Sequence, residues 1–119
     1  NNLLTPEKVN TIYAHENYLI SGMKDMGCYI TLLNEHGISS NLFDKLHIAE
    51  DFSVYDIYYH EQDNKLLLSC GSNGVLVYNW DGESLSVDVD KHILSSYAFT
   101  AKLHEGMIIV GTENGIEIY

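Results

Sequence analysis

The segment VYDIYYHEQDNKLLLSCGSNGVLVYNWDG, Val54 to Gly82, sets the pattern for the whole chain. It opens with a β-branched and aromatic run at 54–59, continues with an apolar run at 66–68 and closes with another at 75–78. Such runs are typical of short strands, and here a polar break and a glycine turn separate them. The segment therefore predicts three consecutive strands joined by tight turns.

The same plan occurs on both sides of this segment. Histidines at one turn lie 45 and 44 residues apart, and glycines at another turn lie 47 and 41 residues apart. These matched residues are His15, His60 and His104 in the first set and Gly27, Gly74 and Gly115 in the second. We divide the chain into repeat 1 at 9–53, repeat 2 at 54–96 and an incomplete repeat 3 at 97–119. This period is typical of propeller blades, each a four-stranded antiparallel sheet.

Two glycine turns, with the strands that follow them, resemble a known repeat. The segment VGTENGIEIY, Val110 to Tyr119, resembles the repeat of two-component-regulator propellers, where a Gly-Thr-x-x-Gly turn precedes alternating apolar residues and an aromatic residue. Gly71 to Tyr78 is similar to the same element and to the corresponding turn of citron-homology and WD-repeat propellers. The resemblance implies an all-β fold, a β-propeller segment of nearly three blades. Resemblance to the regulator repeats also implies a ligand sensor outside the cytoplasm.

The continuous apolar runs at 66–68 and 107–110 predict strands that are covered on both faces by neighbouring sheets. Because propellers have about four to eight blades, three repeats leave apolar faces open on the first and last sheet. We expect these faces to be covered by a protein partner, by further blades of the same chain, or by a second copy in a homodimer that completes a ring. Trp80, beside Tyr78, is expected to fill the core.

The net charge of the chain excludes some classes of binding partner. Seventeen acidic residues stand against six basic residues, giving a formal charge of -11, and all six basic residues are lysines. Without arginine and with this charge, we expect neither nucleic acid nor an anionic membrane surface as a partner. No apolar run reaches the roughly 18 residues that a membrane helix needs. A basic protein surface or a cationic ligand fits the acidic balance better.

Two sets of residues are candidates for protein binding. The long turn Met23-Lys24-Asp25-Met26 departs from the repeat, and we expect exposed methionines there to make adaptable contacts. The other set is His15, His60 and His104, one per repeat. Zinc ligands must lie about 2.0–2.2 Å from the metal, whereas packed sheets are about 10 Å apart, so we expect these histidines to be turn residues and predict no metal site.

A ligand site is the alternative to a protein-binding surface. Asp56 sits in mid-strand among apolar residues, with Thr11 and Thr100 at the equivalent positions. A carboxylate there must reach donors or face water, and the first strand of a blade lines the central channel. Asp56 and Tyr58 are therefore the candidate ligand-binding residues at the mouth of that channel.

Cys28 and Cys70 fall inside predicted strands of different repeats, and we expect both to be free, buried thiols. Free thiols favour a reducing, cytoplasmic location, although no sequence feature assigns one.

The sequence contains no nucleophile-elbow motif and no phosphate-cradling loop, so we expect no catalytic residues and no cofactor. The hypothesis that fits best is a non-catalytic propeller scaffold that mediates protein–protein interaction. A ligand-binding sensor propeller is the alternative, and a propeller hydrolase or lyase is the third.

Overall fold

The computed structural model describes residues 5–34, 37–38 and 45–119, and in these residues the predicted all-β class is confirmed. The strands of repeat 1 are β1 (Val9–His15), β2 (Tyr18–Met23), β3 (Cys28–Asn34), β4 (Gly37–Ile38) and β5 (Lys45–Ile48). Those of repeat 2 are β6 (Asp56–His60), β7 (Lys65–Ser69), β8 (Val75–Asn79) and β9 (Asp88–Ile93). Those of repeat 3 are β10 (Ala98–His104), β11 (Met107–Thr112) and β12 (Gly115–Ile118). No helix in the described ranges has the length and apolar composition needed to cross a bilayer.

Each repeat forms one antiparallel sheet, and we number the sheets 1 to 3 in chain order. Sheet 2 has the strand order β6-β7-β8-β9, and sheet 3 has the order β10-β11-β12. In sheet 1, β4 and β5 both pair with β3, so together they hold the position that β9 holds in sheet 2. In the part of the chain that the structure describes, β12 pairs with β11 alone and the three sheets do not close into a ring.

The matched glycines form the tight turns that the repeat predicted. Gly27, Gly74 and Gly115 all have positive φ angles, of 71°, 73° and 112°. At Gly74 a Cβ atom would lie 2.0 Å from the carbonyl oxygen of Ile93, so both the backbone angle and the space require glycine. These turns connect the second and third strands of each sheet.

Two hydrophobic cores separate the three sheets. Core 1 lies between sheets 1 and 2 and contains Ile20 and Leu68, whereas core 2 lies between sheets 2 and 3 and contains Leu67 and Val110. Sheet 2 is therefore covered on both faces, which explains its continuous apolar run. Trp80 is 1% exposed in core 1, which confirms the expectation that it fills the core.

The first strands of the three sheets lie side by side, with β6 between β1 and β10. Where these strands begin, the Val54 N–H donates to the Met23 carbonyl oxygen at 3.0 Å. Where they end, the rings of His15 and Tyr59 are 4.8 Å apart. The strands thus run in the same direction, and we call the edge at which they begin the start edge and the opposite one the far edge.

The two outer sheets differ in how far their outward faces are open. On sheet 3, Ile116 is 74% exposed and Ile118 is 62% exposed, both on the face that points away from core 2. On sheet 1, Ile12 is 67% exposed on the outward face, but Thr31 on the same face is 1% exposed. The expected open apolar face is therefore most complete on sheet 3.

Cys28 and Cys70 are both free and buried in core 1, as expected. Burial raises the pKa of the Cys28 thiol well above its usual range and that of Cys70 to about 12. Because only the thiolate is a strong nucleophile, both residues act as small apolar side chains in the folded protein.

Candidate functional site

The three predicted histidines end β1, β6 and β10 at the far edge, each opposite the first residue of the next strand. His15 is half-buried against Tyr59 and Trp80, with ring centroids 4.8 and 5.8 Å apart. His104 is exposed and lies 3.8 Å from the carboxylate of its neighbour Glu105. The histidines are equivalent in register, but their surroundings differ.

Metal binding would require several ligands to converge. In residues 5–34, 37–38 and 45–119, no group of three His, Cys, Asp or Glu side chains is placed to hold a metal ion. The histidines lie on separate strands of separate sheets, and each has its own neighbours.

The predicted loop Met23–Met26 lies at the start edge, because Met23 pairs with Val9 at the beginning of β1. The expectation of exposed methionines is wrong for Met23, which is 0% exposed, and Met26 is half-buried. Burial follows from the position of Met23 on β2, whose backbone continues one residue further than the repeat suggested.

Two other residues of this loop are exposed. The Ser53 hydroxyl donates a hydrogen bond to the Asp25 carboxylate at 2.8 Å. Ser53 Oγ also accepts a hydrogen bond from the Asp25 backbone N–H at 2.9 Å. Lys24 is exposed beside it. The loop is therefore fixed to the segment that precedes β6, and it lies at the opposite edge of the sheets from the three histidines. The predicted protein-binding residues do not form one surface.

The predicted ligand-binding residues Asp56 and Tyr58 lie on one face of β6, turned toward β10. The Thr100 hydroxyl donates to the Asp56 carboxylate at 2.7 Å, and the Lys102 ammonium lies 3.7 Å from the same oxygen. Asp56 is the first residue of β6, not a mid-strand residue as predicted, and its carboxylate reaches two donors on the neighbouring sheet.

Tyr58 extends this contact along the strand. The Lys102 ammonium lies 4.6 Å from the centre of the Tyr58 ring, a distance typical of a cation–π interaction. The Tyr58 hydroxyl and His60 Nδ1 are 3.0 Å apart, and His60 Nε2 lies 3.5 Å from the Asp63 carboxylate. A polar chain therefore runs from the start edge to the far edge between β6 and β10, through Asp56, Thr100, Lys102, Tyr58 and His60.

An aromatic cluster that was not predicted from the sequence lies at the start edge of the polar chain. The Tyr55 and Tyr97 hydroxyl groups are 2.7 Å apart, and this hydrogen bond is the main cause of a raised pKa at Tyr97. The Phe99 ring lies 5.2 Å from Tyr97 and 6.4 Å from Tyr55, and Phe99 is 49% exposed. Three rings pack together here, and Phe99 leaves part of this cluster open to solvent.

A β-bulge explains how Phe99 reaches this cluster. The register between β10 and β11 shifts between Ala98 and Thr100, so Phe99 has no partner on β11. Bulges redirect side chains next to functional sites. The sequence did contain one signal for this cluster. The residues before the matched positions Asp56 and Thr100 are both aromatic, Tyr55 and Phe99, whereas Asn10 precedes Thr11.

The polar chain between β6 and β10 brings a carboxylate, a hydroxyl and an ammonium group into contact. One oxygen of Asp56 faces both a hydroxyl and an ammonium, and the face of Tyr58 is occupied by the same ammonium. In comparisons with known proteins, no family model, no curated protein and no solved structure matches this chain.

Proposed function

We propose that the chain is a segment of a β-propeller that serves as a non-catalytic scaffold for protein–protein interaction. The observation that carries the proposal is the open apolar face of sheet 3. The partner that we propose for this face is another sheet of the same kind, supplied by a second copy.

Register supports this proposal. Val77 pairs with Leu67 in sheet 2 and is buried in core 2, where sheet 3 covers it. Ile118 pairs with Ile109 at the equivalent position of sheet 3, but it is 62% exposed. The repeat therefore places an apolar side chain where the preceding sheets have an inter-sheet contact.

Energetics favour a covered face. Burying one large aliphatic side chain stabilises a protein by about 1.5–3 kcal/mol. Ile116 and Ile118 both point outward from sheet 3, and Met107 on the same sheet is 40% exposed. Burial of this group in an interface supplies a driving force for association.

A second copy offers a matching surface. Ile12 in β1 is equivalent to Ile57 in β6, which faces the preceding sheet in core 1, and Ile12 is 67% exposed. Contact between sheet 3 of one copy and sheet 1 of another repeats the packing seen inside the chain. Two copies would bring six sheets together, within the range of about four to eight blades.

The test is the mass in solution by light scattering. We expect the wild-type chain to reach twice the 13.5 kDa of one chain as concentration rises. The double variant Ile116→Lys/Ile118→Lys should remain at 13.5 kDa. The control Val89→Lys changes a residue that is 64% exposed on β9 and should associate like the wild type. A wild-type chain that is monomeric at every concentration would overturn the proposal.

The aromatic cluster favours a second candidate function, a ligand-binding sensor. Tyr55, Tyr97 and Phe99 pack together in a strongly acidic chain, and aromatic rings bind quaternary ammonium groups. Choline is therefore the probe. A concentration-dependent rise in melting temperature with choline, lost in Phe99→Ala, would support a sensor. No shift with choline would remove this candidate.

A further inference from the structure

A pocket with a volume of about 320 Å³ lies between sheets 1 and 2 at the far edge. Its walls come from the turn between β1 and β2, the turn between β6 and β7, and the segment that follows β8. Gly82 brings that segment close to sheet 1, since a Cβ atom at Gly82 would lie 2.9 Å from His15 Nε2. Only a residue without a side chain fits there. We call this site the far-edge pocket.

Four carboxylates line the far-edge pocket, and no lysine is among the described residues of the lining. These carboxylates belong to Glu16, Glu61, Asp81 and Glu83. The Asp81 carboxylate accepts hydrogen bonds from the Glu83 N–H at 2.8 Å and from the Ser84 hydroxyl at 3.0 Å, which lower its pKa. Both donors bind Oδ1 of Asp81, so they fix the side chain and leave Oδ2 to a ligand. The pocket is therefore built for a positive charge.

A buried tyrosine in the same lining offers a hydroxyl to a ligand. Tyr18 is only 9% exposed, and its ring packs edge-on against that of Trp80 at 5.6 Å. Among the described residues, none forms a hydrogen bond with the Tyr18 hydroxyl, whereas buried hydroxyl groups usually have a partner. Burial, together with the negative charges of Asp81 and Glu83, raises the pKa of this hydroxyl, so it stays protonated beside those carboxylates. Tyr18 thus adds an unused polar group to the acidic lining.

The spread of the four carboxylates favours an extended cation. Oxygen ligands of a metal ion must lie within about 2.0–2.6 Å of it. In residues 5–34, 37–38 and 45–119, no three acidic, histidine or cysteine side chains converge in this way. A linear polyamine carries ammonium groups that are separated by methylene chains, so it can meet separated carboxylates one by one. We propose that the far-edge pocket binds an aliphatic polyamine, with ammonium groups at the Glu61 and Asp81 carboxylates and at the Tyr18 hydroxyl.

The chemistry of the lining fits both parts of a polyamine. The Tyr18 oxygen accepts a hydrogen bond from an ammonium N–H, while its own proton goes to a neighbouring carboxylate. A quaternary ammonium group has no N–H to donate, so choline does not satisfy this hydroxyl. Leu32 supplies an apolar contact for the methylene groups. The far-edge pocket is therefore a different site from the aromatic cluster at the start edge, and it lies away from the outward face of sheet 3.

The probe is spermidine, and calorimetric titration of the full chain measures its affinity. Mg²⁺ and butylamine are titrated at the same ionic strength, because a chain with a charge of -11 attracts any cation and salt screens that attraction. Butylamine has a single ammonium group, and Mg²⁺ has no methylene chain. We expect spermidine to bind about tenfold more tightly than either, since it makes several ammonium–carboxylate contacts at once. Equal affinities for the three cations would overturn the proposal.

Two double variants that remove the same charge show whether spermidine binds in the pocket. Glu61→Gln/Glu83→Gln should weaken its affinity about tenfold. Glu50→Gln/Asp51→Asn is the matched control, because both residues are exposed near the start edge, and it should change the affinity less than about twofold. Equal losses in the two double variants would contradict the assignment.

Tyr18→Phe tests the hydroxyl alone, because it keeps the ring that packs against Trp80. We expect this variant to melt like the wild type without spermidine and to bind spermidine about threefold more weakly, the usual effect of one lost hydrogen bond. Its affinity for butylamine should fall less. A Tyr18→Phe variant that binds spermidine as tightly as the wild type would show that the hydroxyl takes no part and would overturn the proposed site.

Discussion

Leu67 and Leu68 are consecutive residues of β7, yet their side chains are buried in two different cores. Leu67 is 1% exposed in core 2, and Leu68 is 0% exposed in core 1. Because side chains alternate along a strand, this relationship means that sheet 2 is packed against a sheet on each of its faces.

Substitution of either leucine should therefore destabilise the protein, because Leu67 is part of core 2 and Leu68 is part of core 1. We expect Leu67→Ala and Leu68→Ala each to lower the free energy of unfolding by about 2–5 kcal/mol, as is usual for buried leucines. Leu94→Ala is the control, because Leu94 is 78% exposed, and it should change that free energy by less than about 0.5 kcal/mol. Urea unfolding measures all three. If only one of the two buried leucines matters, sheet 2 is covered on a single face.

The matched glycines should differ in their tolerance of a side chain. Gly115→Ala places no atom within 4 Å of its new Cβ, so it costs only backbone strain, about 1–3 kcal/mol. Gly74→Ala should cost more, because its Cβ would lie 2.0 Å from the Ile93 carbonyl oxygen. Thermal unfolding of the two variants compares them directly. Equal losses would mean that β9 does not pack against this turn.

Stability should fall at alkaline pH. The pKa of Cys70 is raised from 9.0 to about 12, and that of Tyr78 from 10.0 to about 12, by burial in both cases. A raised pKa means that the folded state holds its proton more tightly than the unfolded state. The stabilisation is therefore complete below about pH 9 and is lost as the pH rises toward 12.

Urea unfolding between pH 7 and pH 11 tests this expectation, with Cys70→Ala as the matched variant. The variant should lose less free energy of unfolding across this range than the wild type, because one titrating group has gone. Lysines also titrate in this range, but they are the same in both proteins. Parallel pH profiles for the two proteins would contradict the assigned role of burial.

The contact between Asp56 and Thr100 should couple sheets 2 and 3. Thr100→Val removes the donor of a 2.7 Å hydrogen bond and should lower the free energy of unfolding by roughly 1 kcal/mol. In an Asp56→Ala background the same change should cost nearly nothing, which is the signature of a direct interaction. Thr11→Val, at the equivalent position of β1, is the control. An unchanged cost in the Asp56→Ala background would show that Thr100 acts through another contact.

Sequence patterns predicted the sheets because they reflect local physics. Glycine turns are recognisable since Gly27, Gly74 and Gly115 adopt positive φ angles that other residues avoid. The apolar run at 66–68 predicted burial on both faces, which sheet 2 confirms. The run at 107–110 predicted the same for β11, but Met107 is 40% exposed on the open face of sheet 3. For Asp56 the sequence predicted either hydrogen-bond donors or solvent, and the structure supplies a donor in Thr100.

The candidate site was less predictable because it depends on register and strand direction. Met23 looked like part of an exposed turn, but β2 extends to it and buries its side chain. The loop at 23–26 and the three histidines lie at opposite edges, a consequence of the alternating direction of the strands. Phe99 joins the aromatic cluster through a bulge, and a bulge depends on pairing that one strand alone does not reveal.

The central claim is that another sheet covers the outward face of sheet 3. The most direct measurement is the rate at which a cysteine placed on that face reacts with a thiol reagent, because Cys28 and Cys70 are buried and react slowly. We predict that Ile118→Cys reacts more slowly as protein concentration rises, whereas Leu94→Cys keeps a constant rate. An Ile118→Cys variant whose rate is independent of concentration would contradict the claim.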